Sequence, residues 1–431
     1  MSETVNVGLL GHGVVGGGVA RTLRDKVDTI ARRVGRPVAV KGVLVRDVAR
    51  HRDADWLPLT ANPADVLDNP DIQIVVEAMG GEDPAHEYLL RAIANGKHVV
   101  TANKEVMAKH GPEIVAAAAA KGLDVAYEAS VGGGIPVIGP FKLDLLANDI
   151  SRVAAIINGT TNYIITRMST TGLDFGTALK EAQDLGYAEP DPTNDIEGID
   201  AAYKLAILST LAFHARVHPD QVYREGITGL QPSDFRYARE LGYAIRLLAI
   251  AKLADGGLEA RVHPTMVPAG TMLASVDDVY NAVQVEGDLV GRILFYGRGA
   301  GAGPTASAVV ADVIDLAQRI VGGEIRPTLA TYDASIQVRP MADAQSRYYI
   351  RLVAADHPGV IARIAGIFGE RRISLTSVIQ KEDVRHTGGA RIAEIVFMTH
   401  QAHEASVQAA LDEIRQLDVV EQVGSVIRVE D

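Results

Sequence analysis

The first 25 residues carry the pattern that most restricts the fold of this chain. A short apolar run at 5–10 leads into Gly11, Gly13 and Gly16, and an amphipathic segment follows. Glycines at this GxGxxG spacing allow a tight turn, close approach of a pyrophosphate to the backbone, and close packing of a helix on a strand. The apolar segment at 38–45 completes a β-α-β unit. We therefore predict a dinucleotide-binding turn rather than a glycine-rich loop without a ligand.

The alternation of apolar runs and helical segments continues to about residue 131. Further strands are expected within DIQIVVEAMGG (71–81), KHVVTANK (97–104) and LDVAYEASV (123–131). This alternation predicts an α/β fold with a Rossmann-type, doubly wound parallel sheet. Ligands of such sheets bind beyond the carboxyl ends of the strands, where Met79, Gly80 and Lys104 are expected. By position alone, Lys104 is equally well explained as a surface residue that caps a helix.

The end of the second predicted strand bears on the choice of nicotinamide cofactor. An acidic residue there would bind the ribose hydroxyls of NAD, but this strand ends in Arg46, which is followed by Asp47. Arginine suits a 2′-phosphate, so the sequence favours NADP(H), with NAD(H) tolerated because of the adjoining aspartate. The alternative is that Arg46 is a solvated loop residue.

The segment LGYAEPDPTNDIEGIDAAYK (185–204) is the strongest candidate for an active site. Its five carboxylates lead into a segment that is apolar on all sides of a helix and carries Lys204 as its one charge. Asp200 precedes Lys204 by four residues, on the same helix face. Neighbouring acids favour the charged lysine, and a protonated lysine suits carbonyl reduction. The alternative is that the acids complement a helix N-terminus and that Asp200 and Lys204 form an ordinary ion pair.

Two glycine-rich turns are weaker candidates for ligand sites. VGGGIP (131–136) follows Glu128, and one carboxylate with several backbone carbonyls would form a weak cage for a hard cation. A plain turn into the next domain explains the same residues. The segment at 299–320 predicts a glycine turn and a long helix that returns to the first domain. Gly303 would approach the cofactor there, or simply start the helix.

Composition excludes several classes of function. The chain has 431 residues, a net charge of -12 and no cysteine, so thiolate metal sites, disulfides and thioester chemistry are ruled out. No basic cluster with interleaved aromatics suggests nucleic acid. No apolar run approaches the roughly 18 residues of a membrane span, and no signal region precedes the first strand. We expect a cytoplasmic protein that binds neither nucleic acid nor membrane.

The C-terminal part has its own order of predicted strands and helices. Residues 327–347 are polar and irregular and are expected to form a linker, whereas 348–431 read as β-α-β-β-α-β, a ferredoxin-like unit. The predicted domains are a dinucleotide-binding domain (1–136, joined by helix 304–320), a middle α+β domain for substrate binding and dimerisation (137–303), and this C-terminal unit.

Taken together, these motifs resemble the monofunctional homoserine dehydrogenase family over essentially the whole chain. The resemblance is carried by GLLGHGVVGGGV (8–19), TANK (101–104), EASVGGGIPV (128–137), NGTTNYI (158–164), the acidic segment at 185–204, and GAGAGPTASAV (299–309). It implies interconversion of L-aspartate 4-semialdehyde and L-homoserine with NAD(P)H, in threonine, methionine and isoleucine biosynthesis. The alternatives are another NAD(P)-dependent reductase of a small amino-acid aldehyde or ketone, and a non-catalytic sensor of NADPH and amino acids.

The resemblance also implies roles for individual residues. Lys204 matches the proton donor, with Asp200 as the catalytic residue that orients it, although Lys104 competes for the donor role. Asp200 and Glu189 match substrate-binding carboxylates, and Gly186 and Lys104 match positions near cofactor and substrate. Asp191, Asp195 and Glu197 are expected to shape the turn and cap the helix. The further matches are Val14 and Val15 in the phosphate turn, and Glu128 with the carbonyls of Val131, Gly133 and Ile135 at a site for Na+ or K+.

The C-terminal unit is similar to an ACT domain, a module that binds amino acids. Residues 356–360, DHPGV, match its effector-side loop, so the resemblance implies feedback regulation by threonine. It further implies a homodimer formed through the middle domain, or a tetramer if the ACT units also pair.

Overall fold

The structure, a computed structural model, describes residues 4–51, 54–254, 256–324, 332–381, 385–387 and 390–430. The chain forms two compact units. The first comprises residues 1–153, 203–222 and 281–336, and the second comprises residues 154–202, 223–280 and 337–431.

Helices and strands alternate along most of the chain. The elements up to residue 142 are β1 (Val5–Leu10), α1 (Val14–Asp25), α2 (Val27–Val34), β2 (Val38–Leu44), β3 (Leu59–Thr60), α3 (Ala64–Leu67), β4 (Ile74–Glu77), α4 (Ala85–Ala94), β5 (His98–Thr101), α5 (Lys104–Ala119), β6 (Val125–Ala126) and α6 (Ile138–Lys142). The next are β7 (Ile150–Ile156), α7 (Gly159–Thr171), α8 (Phe175–Asp184), α9 (Thr193–Ile196), α10 (Ile199–Ala212), β8 (Tyr223–Arg224), α11 (Pro232–Glu240), β9 (Tyr243–Ala254), β10 (Gly257–Pro268), β11 (Tyr280–Gly287), β12 (Gly291–Arg298) and α12 (Ala302–Gly322). The last are β13 (Gln345–Ala355), α13 (Val360–Glu370), β14 (Leu375–Gln380), β15 (Arg385–Thr387), β16 (Ala390–Thr399), β17 (Ala402–His403), α14 (Glu404–Ile414) and β18 (Val420–Val429).

The first unit contains the predicted Rossmann-type sheet. Its strands are parallel and lie in the order β3-β2-β1-β4-β5-β6, the arrangement of a dinucleotide-binding fold. The strand predicted at 123–131 is shorter than expected, because β6 ends at Ala126 and a 3₁₀ turn occupies Glu128–Ser130. The amide of Glu128 donates to Asp312 Oδ2 at 2.9 Å, so the backbone leaves the sheet at this point.

Helix α12 completes the core of the first unit. Gly18 of α1 faces Ala306 of α12, and a Cβ atom at Gly18 would lie 3.1 Å from the Cβ of Ala306. Val309, Val313 and Leu316 of α12 are buried in the same cluster as the strands β1 and β4. The first unit also contains the neighbouring strands β11 and β12.

The second unit is built on a sheet in the order β9-β10-β18-β13-β16-β14. Its last part confirms the predicted ferredoxin-like unit, with α13 and α14 packed on the apolar face of β13 and β16. The pairing of β18 with β10, through Thr265 with Arg428 and Met266 with Val429, was not predicted from the sequence. The strands of the ferredoxin-like unit therefore continue the sheet that contains β9 and β10.

The predicted linker at 327–347 lies partly outside the described residues, which resume at 332. From there the chain forms a 3₁₀ turn at Met341–Asp343, and β13 begins at Gln345. No helix in the described parts of the chain combines the length and the apolar character that a membrane crossing requires.

Candidate active site

The glycine turn between β1 and α1 has a distinct geometry at each glycine. Gly11 has φ +97°, and a Cβ there would lie 2.9 Å from the carbonyl oxygen of Ala78. A Cβ at Gly16 would lie 2.1 Å from the oxygen of Gly11, whereas a Cβ at Gly13 would meet nothing within 4 Å. The first and third glycines are therefore required by the turn itself. The open second position, beside exposed Val14 and half-buried Val15, leaves room for a phosphate to approach the helix N-terminus.

The end of β2 presents positive charge. Arg46 is exposed there, and the neighbouring Asp47 is engaged locally. Its Oδ1 accepts from the amide of Ala49 at 2.9 Å, and its Oδ2 lies 3.4 Å from Nε of Arg50. Arg46 and Arg50 therefore bring two positive charges against the one negative charge of Asp47 at this edge.

The carboxyl ends of β4 and β5 lie side by side, as the parallel register requires. Met79 and Gly80 follow β4, and Gly80 has φ +74° with open space at its missing Cβ. Lys104 is the first residue of α5, directly after Asn103, whose side chain caps that helix by accepting from the amide of Val106 at 3.2 Å. Gly303 lies in the first turn of α12, also with open space around it.

The carboxylate of Glu128 accepts hydrogen bonds from three backbone amides. Oε1 accepts from the amides of Val137 and Ile138 (2.5 and 2.8 Å), and Oε2 accepts from the amide of Gly139 at 2.7 Å. The carboxylate therefore anchors the start of α6. Between Glu128 and this helix, the successive glycines 132 and 133 have φ +73° and +56°, which turns the backbone sharply through Val131 and Ile135.

The acidic segment forms a polar cluster in the second unit. Asp200 is 3% exposed, and its Oδ2 accepts from Nδ2 of Asn158 at 2.9 Å. The same nitrogen donates to Oδ1 of Asp195 at 2.6 Å, so one amide holds two carboxylates. Asn158 in turn caps α7, because its Oδ1 accepts from the amide of Thr161 at 2.9 Å. Two like charges gathered in this way favour a bound cation.

The other predicted residues of this segment lie on the turn before the cluster. Glu189 is exposed, and its backbone carbonyl accepts from Nε2 of Gln183 at 3.1 Å. Gly186 has φ +74° at the end of α8, with open space around it. Asp191 accepts from the amide and hydroxyl of Thr193 at 3.2 and 2.6 Å, and these bonds lower its pKa. Asp191 thus holds the turn before α9 through its bonds to Thr193.

Helix α10 (Ile199–Ala212) confirms the predicted buried helix. Lys204 is half-buried, and its neighbours Leu205 and Leu208 are fully buried. Lys204 lies one turn after Asp200 along the helix, so the two side chains leave the same face.

Three polar residues have contacts that the sequence analysis does not predict. Asn158 caps α7, and an asparagine before Gly-Thr-Thr and an apolar helix is an N-cap signal that could have found it. Asp195 is expected only to shape the turn or cap the helix, but it shares the amide of Asn158 with Asp200. Glu77 lies in an apolar strand, and no local pattern distinguishes it.

Comparison with known proteins extends the resemblance to the whole chain. Residues 11–128 match the NAD binding domain of homoserine dehydrogenase, residues 136–314 match homoserine dehydrogenase, and residues 348–419 match the ACT domain. A homoserine dehydrogenase of Synechocystis is 46% identical over 437 residues, covering 99% of both chains.

Solved structures agree with these matches. The crystal structure of a homoserine dehydrogenase from Thiobacillus denitrificans has a TM-score of 0.93 at 47% identity, covering 99% of this chain and 98% of that one. A hyperthermophilic archaeal homoserine dehydrogenase in complex with NADPH has a TM-score of 0.63 at 26% identity, covering 75% of this chain and 100% of that one. The chain therefore belongs to the homoserine dehydrogenase family of oxidoreductases, with a nicotinamide-dinucleotide-binding domain and a C-terminal ACT domain.

Proposed function

We propose that the reaction proceeds by direct hydride transfer, with Lys204 as the proton donor. In the reducing direction, bound NAD(P)H would supply a hydride to the aldehyde carbon of L-aspartate 4-semialdehyde, and the Lys204 ammonium would donate a proton to the developing alkoxide. The products are L-homoserine and the oxidised cofactor. Lys104, at the start of α5, is proposed to contact the substrate and to help position it. Positioning of the nicotinamide ring against the carbonyl supplies the rest of the rate enhancement.

The choice of an amino-acid substrate is supported most directly by the cluster of Asp200, Asp195 and Asn158. A dehydrogenase of simple alcohols has no need for carboxylates gathered on one amide, whereas an amino-acid substrate brings an ammonium group that carboxylates of this segment can bind. We propose that Asp200 and Glu189 bind this ammonium, and that Asn158 holds Asp200 in place. Gly186, with its open surroundings, is proposed to let the cofactor or substrate approach the backbone.

For the cofactor, we propose a preference for NADP(H) with NAD(H) tolerated. The support is the exposed Arg46 beside an aspartate whose two oxygens are already engaged by Ala49 and Arg50. Gly11, Gly13, Val14, Val15 and Gly16 would hold the pyrophosphate, and Met79, Gly80 and Gly303 would border the cofactor on the neighbouring loops.

A monovalent cation, Na+ or K+, is proposed at the turn after Glu128. The carbonyls of Val131, Gly133 and Ile135 would be its ligands, and the anchored Glu128 carboxylate would supply negative charge beside them. The glycines at 132 and 133 make such a turn possible, because their positive φ values are strained for other residues.

We also propose how the protein is regulated and how its subunits assemble. The ACT domain supports threonine as an effector, bound at the loop 356–360. Strand β12 is an edge strand whose one neighbour in the strand order of the described residues is β11, and Leu289, Val290 and Tyr296 on or beside it are exposed (71%, 42% and 53%). An uncovered edge strand with apolar neighbours supports a homodimer formed there, or a tetramer if the ACT domains pair as well.

A spectrophotometric assay tests the proposed chemistry. The protein is expected to reduce NADP+ in the presence of L-homoserine, and to do so much more slowly with L-serine, L-threonine or 4-hydroxybutyrate. Equal rates with several hydroxy amino acids would point to a broader reductase. Tight NADPH binding without any turnover would point to a sensor.

A further inference from the structure

Glu77 is a buried carboxylate at the carboxyl end of β4. It is 0% exposed, and such a group is costly to bury unless its oxygens are hydrogen-bonded. Oε1 accepts from the amides of Met79 and Gly80, at 2.7 and 3.3 Å. Oε2 accepts from the hydroxyl of Thr101 at 2.6 Å, on the neighbouring strand. One side chain therefore binds the two loops that follow β4 and β5.

The hydrogen bonds continue from Thr101 to the start of α5. The Thr101 hydroxyl donates a hydrogen bond to Glu77, and its oxygen accepts one from the amide of Asn103 at 2.9 Å. The Asn103 side chain donates to the carbonyl of Gly81 at 2.7 Å. The connections thus form a closed ring that runs from Glu77 to Thr101, Asn103, Gly81 and back along the loop. Lys104 is the next residue after this ring.

We propose that Glu77 is a positioning residue, which fixes both the Met79–Gly80 backbone and the Lys104 side of the site. This inference rests on the proposed function, in which Met79 and Gly80 border the cofactor and Lys104 contacts the substrate. Glycines 80 and 81 both have φ +74° and bring no side chains that could hold the shape of the loop at these two positions. The carboxylate of Glu77 holds it from inside.

A carboxylate is suited to this task because it only accepts hydrogen bonds. A glutamine at position 77 can keep one oxygen on the amides of Met79 and Gly80. Its NH₂ group would then face the Thr101 hydroxyl, which would have to accept that bond as well as the one from Asn103. The hydroxyl proton of Thr101 would lose its acceptor in a site that is fully buried.

Glu77→Gln and Thr101→Val test the proposal, with Val76→Ala as the matched control. Val76 precedes Glu77 on β4 and is also 0% exposed, but its side chain packs in the hydrophobic core on the other face. We expect Glu77→Gln to lower kcat about 10- to 100-fold, since a shift of about 1 Å can have such an effect, and to weaken NADPH binding. Thr101→Val should lower kcat with a smaller loss of NADPH affinity. Val76→Ala should lower the melting temperature while kcat and NADPH affinity stay close to those of the unchanged protein.

Two further readouts do not depend on turnover. NADPH affinity is measured by fluorescence titration, and the acetylation rate of Lys104, relative to exposed Lys26, is measured by mass spectrometry. The proposal predicts a changed Lys104 rate in Glu77→Gln and Thr101→Val only. Unchanged kcat, affinity and labelling in Glu77→Gln would overturn it, as would equal losses in Val76→Ala. If the unchanged protein does not oxidise homoserine, the proposed function fails, while affinity and labelling still decide the role of Glu77.

Discussion

Lys204 is the residue whose removal tests the proposed chemistry most directly. We expect Lys204→Ala to lower kcat for homoserine oxidation by about 10²- to 10⁴-fold, the usual effect of losing a general acid or base. Its affinity for NADPH should stay close to that of the unchanged protein, because the lysine acts on the substrate oxygen. Steady-state kinetics and fluorescence titration measure the two quantities separately.

Two comparison variants make the result specific to this lysine. Lys180→Ala removes a lysine of α8 that is 68% exposed, and it should leave kcat unchanged. Lys104→Ala addresses the other candidate donor. A larger loss of kcat in Lys104→Ala than in Lys204→Ala, together with a nearly normal Lys204→Ala enzyme, would transfer the donor role to Lys104.

Arg46 is expected to decide between the two nicotinamide cofactors. A hydrogen bond to a charged phosphate contributes about 1.5–3 kcal/mol, so Arg46→Ala should raise the KM for NADP+ by about tenfold or more. The KM for NAD+ should hardly change, since NAD+ lacks the 2′-phosphate. Arg32→Ala, at an exposed arginine of α2, serves as the control for net charge. Equal changes for both cofactors would show that Arg46 does not contact the 2′-phosphate.

At the scale of single elements, strand β10 contains a buried histidine that links stability to pH. His263 is 0% exposed, and its Nδ1 lies 3.0 Å from the carbonyl of Pro264. Burial, reinforced by the charges of Arg428 and Arg261, holds the pKa of His263 well below its ordinary value of 6.5. Below pH 6.5, His263 therefore binds a proton in the unfolded chain but not in the folded chain. The folded state becomes less stable as the pH falls.

This linkage predicts the pH dependence of thermal unfolding. The melting temperature should fall as the pH is lowered from 7 to 5, and His263→Asn should reduce that slope, because its amide can still donate to Pro264 and does not titrate in this range. His400→Asn, at an exposed histidine, is the control. Differential scanning fluorimetry across the pH series measures the slopes, and identical slopes in all three proteins would contradict the assignment.

The turn after β1 and the pairing of β10 differ in how far they could be predicted from the sequence. The β1 turn was predictable because Gly11, Gly13 and Gly16 lie within six residues at a spacing that is itself the signal, although the backbone that approaches Gly11, at Ala78, comes from the end of another strand. The pairing of β10 with β18 was not predictable, since Met266 and Val429 meet across more than a third of the chain and local periodicity does not encode such a register. The role of Glu77 is not predictable for a similar reason, because its partner Thr101 is supplied by another strand.

At the scale of the whole molecule, the ACT domain is integrated into the second unit rather than attached by a linker alone. Asp234 of α11 is fully buried and accepts from Arg351 Nε at 2.7 Å and from the Tyr349 hydroxyl at 3.1 Å. Arg428 of β18, 1% exposed, is paired with Glu404 at 2.6 Å and with Glu225 at 2.9 Å. These contacts join strands of the ACT domain to the segment 223–268.

Removal of the ACT domain should therefore destabilise the rest of the second unit. A chain that ends at residue 344 lacks β13 and β18, which leaves Asp234 buried without Arg351 and exposes the edge of β10. Loss of one partner of a buried pair costs about 3–5 kcal/mol, which is a large part of the roughly 5–15 kcal/mol by which a domain is stable. We expect the truncated chain to be poorly soluble or to melt well below the full chain, and to lose activity with the loss of fold.

Asp356→Ala, in the proposed effector loop, is the control and should retain the full melting temperature and activity. If the truncated chain melts and turns over like the full chain, the ACT domain is a separable module and the buried pairs do not couple it to the site.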